Sequence, residues 1–355
     1  MSLFFQDLRH ALRRLRSSPG FVTVAVLTLA LGFGVNTAMF SVIRGVLLRP
    51  LPYRDPGRLV MIWEHYLPRQ QDHNTVAPAN YLRWKERARS FTDLAMYTWS
   101  SMVFTGGEVS ERVPGRLVSA NLLPVLGLAP ALGRGFSAAE GVDGAPKVIV
   151  LSHGLWQRRF GGDSSIVGRE VSIAGGTVTV IGVMPAGFRP LGNEQYWENF
   201  RIGPDTREPM GRYAMVIGRL APGVTPAMAQ AEMTGVAAAV QQEIPDFDTG
   251  WTATVVTLKD EVVGHARQLL LVLLGAVGLV LLIACANVAN LTLTRAAGRA
   301  RDTAVRIALG ATRRRLAREW LVESLLLAVL GGVVGVVLAE WAVELLKQLP
   351  AGVIP

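Results

Sequence analysis

The sequence predicts a membrane protein with α-helical transmembrane spans and a large extracytoplasmic α+β domain. Residues 17–43 and 268–294 each form a run of 27 residues without a charged side chain. Such runs exceed the roughly 20 apolar residues that cross about 30 Å of hydrocarbon. A third apolar stretch extends from Leu321 to about Leu346. Between the second and third stretches, residues 295–318 hold eight arginines and one acid, which is typical of a short cytoplasmic loop.

The net charge of +9 is concentrated in two short segments beside apolar runs. Residues 1–20 carry +3 and residues 295–318 carry +7, so the rest of the chain sums to −1. Basic residues in these positions set membrane topology and contact lipid headgroups. The charge pattern therefore favours membrane lipids as partners and argues against nucleic acid. Arginines ahead of the first span place the N-terminus in the cytoplasm and the following segment outside it.

The first residues have the pattern of a basic amphipathic helix at the membrane interface. Within residues 3–16 the side chains expected to share the apolar face are Leu3, Phe4, Leu8, Leu12 and Leu15. The uncharged run that follows is too long for the core of a signal peptide, and no convincing A-x-A cleavage site follows it. We therefore expect an uncleaved first span.

Residues 45–264 are long enough to form a core of their own. Strand-like runs occur at 113–118, 148–152, 171–173, 178–183, 215–220 and 252–258. Helical patterns occur at 80–89, 119–126, 154–160 and 225–244. Gly175-Gly176 joins two of the strand-like runs as a hairpin turn would. Strands and helices mixed at this spacing predict an α+β domain with two subdomains.

Catalytic, cofactor and metal sites are not predicted. Ser152-His153 near Asp163 suggests a hydrolase only weakly, because no nucleophile elbow surrounds the serine. The five histidines are scattered, and no glycine-rich segment has a Walker A lysine. We interpret Asp260, Glu261 and His265, just outside the second span, as a solvated connector.

The arginine-rich loop contains a short patterned segment. Asp302, Val305, Arg306 and Leu309 recur at spacings of three and four, so they line one side of a helix, and Gly310 is a plausible C-cap. A simple positive-inside anchor loop explains the composition alone. The mixed apolar and charged face favours a surface that docks onto a cytoplasmic partner.

Longer segments resemble MacB/FtsX-type ABC transporter permeases. The loop and following span, RARDTAVRIALGATRRRLAREWLVESLLLAVLGGVVG, resemble the FtsX-like transmembrane domain. Two segments, VSANLLPVLGLAPALGRGFSAAEG and VIVLSHGLWQRRFGGDSSIVGREVSIAGGTVTVIGVMPAGF, resemble the MacB-like periplasmic core domain. The start, DLRHALRRLRSSPGFVTVAVLTLALGFGVNTAMFSVI, is typical of the duplicated orphan permeases of this group.

The resemblance implies a permease subunit in the bacterial inner membrane that is not itself an enzyme. A separate cytoplasmic ABC ATPase, a second permease unit and a cargo that the sequence does not identify would be its partners. ATP-driven motion would pass to the periplasmic domain by mechanotransmission, in efflux or export. The ATPase-coupling surface would comprise Arg301, Asp302, Val305, Arg306, Leu309 and Gly310. Asp302-Thr303 departs from the family pattern, in which a glutamate and an apolar residue are more usual.

The predicted layout alternates membrane and soluble parts. It has a cytoplasmic amphipathic helix at 1–20, spans at 21–44, 267–292 and 320–346, a periplasmic core at 45–264, a cytoplasmic coupling loop at 293–318 and a periplasmic end at 347–355. The family has four spans per unit, so we expect that the fourth is missing here. Two alternatives remain open: a membrane-anchored periplasmic binding or sensing protein without transport, and a non-functional permease fragment.

Overall fold

The structure is a computed structural model, and it describes residues 9, 11–13, 15–44, 51–107, 109–188, 192–298, 304, 305, 308 and 312–347. The chain divides into two compact units. One, here called the membrane unit, comprises Met1–Arg49 and Val263–Pro355. The other, here called the core domain, comprises Pro50–Val262.

The secondary structure alternates between the two units along the chain. The helices are α1 (Pro19–Ile43), α2 (Pro78–Arg87), α3 (Leu122–Leu126), α4 (His153–Phe160), α5 (Pro204–Arg207), α6 (Pro226–Glu243), α7 (Pro245–Asp248), α8 (Leu258–Gly298) and α9 (Arg313–Lys347). The strands are β1 (Leu59–Tyr66), β2 (Gln71–Asn74), β3 (Phe91–Phe104), β4 (Glu111–Val118), β5 (Leu132–Gly133), β6 (Val148–Leu151), β7 (Glu170–Ile173), β8 (Gly176–Val183), β9 (Tyr196–Asn199), β10 (Met215–Leu220) and β11 (Trp251–Thr257). Short 3-10 helices occur at Pro56–Arg58, Leu67–Arg69, Ala138–Gly141 and Ser164–Ile166.

The membrane unit is helical because its sequence consists of long apolar runs. Among the described residues, three segments are long and apolar enough to cross a membrane: Pro19–Ser41, Arg267–Gly298 and Ala317–Trp341. In a bilayer every backbone N–H and C=O must be paired within the protein, and a helix achieves this alone. Pro19 stands in the first turn of α1, where its missing N–H costs nothing.

The end of the N-terminal segment packs against the membrane helices. Leu15 is 5% exposed and lies in an apolar cluster with Ala25, Leu29 and Leu327. Leu12 is 44% exposed within the protein, and the apolar face that would lie in the membrane interface stays a prediction. The other predicted members of that face, at positions 3, 4 and 8, lie outside the described residues.

The core domain is built on one mixed, 11-stranded sheet. Its order is β11-β1-β10-β3-β4-β9-β6-β8-β5, with β2 beside β1 and β7 beside β3 and β8. The pairs β4–β9 and β6–β8 are parallel, and the other pairs are antiparallel. The parallel pairing of β4 with β9 joins two parts of the sheet. The first part consists of β11, β1, β10, β3 and β4, and the second consists of β9, β6, β8 and β5. The first and last strands are neighbours, since Val60 of β1 is the register partner of Thr257 of β11.

Apolar side chains fill both faces of the first part of the sheet. In β1, Val60 and Ile62 belong to one core cluster together with residues of α2 and α6. Leu59 and Met61 belong to a second cluster together with residues of α3. A third cluster surrounds β6 and β8 and includes Leu155 of α4. The fold class predicted from the sequence, α-helical spans with a large α+β domain, is confirmed.

Candidate functional site at the loop end of the membrane helices

The predicted coupling loop joins the end of α8 to the start of α9. Of its six predicted surface residues the structure describes Val305, which is helical and 55% exposed. Ala304 and Ala308 are also helical and exposed. Arg301, Asp302, Arg306, Leu309 and Gly310 lie outside the described residues, so their assignment stays a prediction.

At the loop end of α8, one side chain contacts all three membrane helices. Arg295 is in the last turn of α8. Its Nη1 donates to Glu323 Oε1 of α9 at 2.9 Å, and its Nη2 donates to Ser18 Oγ at the start of α1 at 2.9 Å. The guanidinium also lies 4.5 Å from the ring centre of Phe21. We call Arg295, Glu323, Ser18 and Phe21 the Arg295 cluster.

The chemistry of arginine suits this position. Its planar guanidinium carries five N–H donors in a rigid arrangement and also stacks on aromatic rings. The side chains of Arg295 and Glu323 are only 15% and 14% exposed, so water screens their attraction less than it would at a surface. Ser18 makes no capping hydrogen bond to α1; its hydroxyl accepts from Arg295 instead. The cluster therefore ties the start of α1 to the two helices that carry the loop.

Further along the helices, α1 and α9 approach each other through glycines. A Cβ on Gly335 would lie 2.8 Å from the carbonyl oxygen of Ala30, and a Cβ on Gly331 would lie 2.6 Å from the Cβ of Leu29. A Cβ on Gly34 of α1 would meet the carbonyl oxygen of Gly335 at 3.0 Å. Small residues spaced by four allow two backbones to pack this closely in a membrane.

A polar side chain joins α1 to α8 within the apolar region. Asn36 donates through Nδ2 to its own helix at Gly32 O (2.9 Å) and across to Val277 O of α8 (3.1 Å). Gly32 permits this approach, since a Cβ there would lie 3.0 Å from Cδ1 of Leu281. Within the membrane unit, α1 thus has specific contacts with both other helices.

Ser152 and Asp163 have capping roles in the structure. None of the described residues forms a group of three or more His, Cys, Asp or Glu side chains that could hold a metal ion. Ser152 caps α4, with its Oγ accepting from Leu155 N at 3.2 Å. Asp163 caps the next turn by accepting from Ser165 N at 2.9 Å. These two residues therefore have structural roles rather than the hydrolase roles considered above.

The connector before the second span is not simply solvated. Glu261 is in the first turn of α8, and its Oε2 accepts from Trp63 Nε1 of β1 at 3.1 Å. The same oxygen lies 3.6 Å from Nε2 of His73 in β2. With a side chain only 24% exposed, Glu261 attaches the first turn of α8 to the sheet. For Glu261, the interpretation as a solvated connector is wrong.

These features define a polytopic membrane protein with a large α+β domain inserted between its first and second apolar helices. The model of the MacB-like periplasmic core domain matches residues 22–236, and the model of the FtsX-like permease C-terminal region matches residues 274–354. The chain therefore belongs to the MacB/FtsX family of permeases. This membership indicates an inner-membrane protein whose α+β domain is periplasmic.

Characterised relatives align over part of their length. The chain is 25% identical over 249 residues to the macrolide export ATP-binding/permease protein MacB of Salmonella paratyphi A. That alignment covers 69% of this chain and 38% of the relative. The MacB protein of Chromobacterium violaceum is 25% identical over 224 residues, which cover 62% of this chain and 34% of the relative. The chain thus spans less than two fifths of the curated relatives that it matches.

Solved structures of extramembrane domains also resemble this chain. The crystal structure of the periplasmic region of MacB from Actinobacillus actinomycetemcomitans is 14% identical, with a TM-score of 0.44, covering 64% of this chain and 97% of that one. The extracellular domain of the ABC-type transporter YknZ from Gram-positive bacteria is 16% identical, with a TM-score of 0.40, covering 56% of this chain and 99% of that one.

Proposed function

We propose that this chain is the permease subunit of an ABC transporter and that it couples ATP hydrolysis on a separate cytoplasmic ATPase to conformational change in the periplasmic core domain. The cargo leaves the cell by efflux or export. A second permease unit completes the assembly, and the N-terminus is cytoplasmic. The observation that carries the proposal is the Arg295 cluster, which joins all three membrane helices a few residues before the predicted docking face.

The first step of the coupling takes place at the loop. The ATPase binds the face formed by Arg301, Asp302, Val305, Arg306, Leu309 and Gly310. The exposed position of Val305 agrees with a docking face, because an apolar side chain in water gains free energy when a partner covers it. ATP-driven closure of the ATPase then displaces the loop.

The second step passes the displacement into the membrane unit. Arg295 is three residues before the end of α8 at Gly298, so a pull on the loop acts directly on its backbone. Hydrogen bonds to Glu323 and Ser18 then carry the motion to α9 and α1. Packed elements of this kind tend to shift between discrete arrangements rather than deform gradually.

The third step carries the motion outward along α8. That helix is continuous from Leu258 to Gly298, so a displacement at its loop end reaches its first turn. There, Glu261 accepts a hydrogen bond from the indole N–H of Trp63 in β1. A displacement of this first turn therefore acts on β1, an inner strand that is hydrogen-bonded to β11, β10 and β2.

The test measures ATP hydrolysis by the co-purified ATPase with the full chain in lipid nanodiscs. Leu309→Asp and Arg306→Glu each place an acid on the proposed docking face, and we expect both to abolish stimulation of hydrolysis by the permease. Arg314→Glu makes the same charge reversal at an exposed position of α9, and we expect it to retain stimulation. Full stimulation by Leu309→Asp and Arg306→Glu would contradict the docking assignment. Failure to recover any ATPase with the folded, native chain would contradict the permease function as a whole.

A further inference from the structure

The core domain contains a small polar cavity whose residues have no part in the coupling proposed above. Its volume is about 10 Å³. This is about the space that one water needs. The residues that line it are Glu64, Asn80, Trp84, Ala237, Val240, Asp248, Trp251 and Thr252.

Two buried carboxylates beside the cavity share the same donors. Glu64 accepts from Asn80 Nδ2 at 2.9 Å, from the backbone N–H of Ala77 at 3.2 Å, and from Nε of Arg212. Asp248 accepts from Nη2 of Arg212 at 2.6 Å and from Asn80 Nδ2 at 2.9 and 3.0 Å. One guanidinium and one amide thus serve two acids, whose side chains are 1% and 4% exposed.

Two further polar atoms on the cavity wall lack partners among the described residues. They are Asn80 Oδ1 and Trp84 Nε1, and the two residues are 2% and 1% exposed. Asn80 and Trp84 are four positions apart on α2, so their side chains share one face of the helix. The amide oxygen needs a donor and the indole N–H needs an acceptor. One water molecule satisfies both and has a further hydrogen for a carboxylate.

One cation, Arg212, is hydrogen-bonded to both acids. Arg212 lies against the rings of Phe247 (4.2 Å) and Trp251 (3.8 Å). Arg83 of α2 also acts on Asp248; it lies 3.7 Å from Glu243 of α6, whose nearer partner is Arg87 at 2.6 Å.

Burial disfavours the ionised forms of both Glu64 and Asp248. It raises the pKa of Glu64 to about 7, although Arg212 and Asn80 pull in the opposite direction. Burial likewise raises the pKa of Asp248. Two like charges held this close in a water-poor site favour retention of a proton by one of them.

We propose that this cavity is a proton-binding site, in which Glu64 and Asp248 share one proton and a single water bridges them to Asn80 and Trp84. The proton comes from the surrounding fluid, converts one carboxylate to a carboxylic acid and leaves a single ionised carboxylate hydrogen-bonded to Arg212. The acid O–H then donates to the other carboxylate or to the water. The site joins β1, α2, α7 and the segment before β10, so its occupancy sets how firmly these elements are held together. It does not depend on the permease function proposed above.

The test follows carboxylic acid groups in the full chain by infrared difference spectroscopy between pH 5 and pH 8. We expect a carboxylic acid C=O band that titrates near neutral pH and disappears in Glu64→Gln. The matched control is Glu198→Gln, because Glu198 is another buried acid whose pKa burial raises; that variant should retain the band. Asp248→Asn removes the neighbouring negative charge, so the midpoint should fall by one pH unit or more, a tenfold or greater loss of proton affinity.

Two results would overturn the proposal. One is a folded Glu64→Gln variant that keeps the near-neutral band. The other is an Asp248→Asn variant in which the carboxylic acid band titrates with an unchanged midpoint. This second result overturns the proposal even if Glu64→Gln does not fold. A high-resolution crystal structure tests the water: density within hydrogen-bond distance of both Asn80 Oδ1 and Trp84 Nε1 is expected, and a well-ordered but empty cavity would contradict this part.

Discussion

Replacing Gly335 by alanine tests the close approach of α1 and α9. A Cβ at this position would lie 2.8 Å from Ala30 O, 3.1 Å from Gly34 N and 3.1 Å from the Cβ of Phe33. An ordinary carbon–oxygen contact is about 3.3–3.6 Å, so the two helices must separate by about 0.5 Å or more along this contact. Two of the three atoms belong to the backbone, which cannot rotate away as a side chain can. We therefore expect the steric cost to be about 1–3 kcal/mol, the range for overpacking in a well-packed core.

The chain contains its own control for this substitution. Gly332 is in the same helix, and a Cβ there would meet nothing within 4 Å. Both replacements gain the higher helix propensity of alanine, about 1 kcal/mol, so the difference in unfolding free energy between Gly335→Ala and Gly332→Ala isolates the steric cost. Gly331→Ala should resemble Gly335→Ala, because its Cβ would lie 2.6 Å from the Cβ of Leu29.

The assay is thermal unfolding of the purified full chain in detergent. Gly332→Ala should unfold at or above the midpoint of the native chain, and Gly335→Ala clearly below that of Gly332→Ala. If the two variants unfold at the same temperature, the close packing of α1 against α9 described above is refuted.

Three other perturbations test separate parts of the structure. In a double-mutant cycle with Arg295→Gln and Glu323→Gln, each single change should destabilise the chain by about 1–3 kcal/mol because it leaves a poorly hydrated charge without its partner; a coupling energy below about 0.5 kcal/mol would show independent sites. Glu261→Gln should lower ATPase stimulation or transport more than it lowers the unfolding temperature, because it weakens the bond to Trp63, and Trp63→Phe should have the same effect; native activity in both variants would contradict the role of this contact. The pKa of Glu64 is raised from 4.5 to about 7 on folding, so its contribution to stability is fully present below pH 4.5 and is lost as the pH rises through 7. It amounts to about 3 kcal/mol, and the fall in the unfolding midpoint between pH 5 and pH 8 should be smaller in Glu64→Gln than in the native chain.

Much of the core domain follows from short-range patterns in the sequence. The hairpin predicted at Gly175-Gly176 is the turn between β7 and β8. The helical pattern at 225–244 is α6, and Thr225 caps it by accepting from Met228 N. Gly127 ends α3 in the left-handed conformation, as its position after an apolar run predicts. These elements are predictable because their signals are local.

The sequence does not predict β1 and β3, although it predicts β10, which lies between them. β1 reads LVMIWEHY, and its first four residues are all buried, so the alternation that reveals a half-buried strand is missing. The 14 residues of β3 include a buried run of five. Strands of this kind are recognised from the sheet that forms around them rather than from their own periodicity.

The sequence predicts where the coupling loop lies, but it does not predict the contacts of the Arg295 cluster. In the sequence, Arg295 is one of the eight arginines that set topology, and no local pattern marks Glu323 as its partner. Nothing in the local sequence pairs residues that are 28 positions apart. A signal did exist, since a charged residue near the end of an apolar helix needs a partner or access to water. The partner itself emerges only when the helices are packed.

The adjacency of β1 and β11 has a consequence for how such chains diversify. Val60 and Thr257 are register partners at the sheet edge, so about 200 residues of polypeptide leave and return at nearly one point. A domain whose two ends meet can be exchanged, enlarged or deleted while the flanking helices keep their covalent spacing. Evolution can therefore alter the periplasmic domain without redesigning the membrane helices. A chimaera that exchanges residues 59–257 for the corresponding domain of a distant relative is a practical experiment on the same principle.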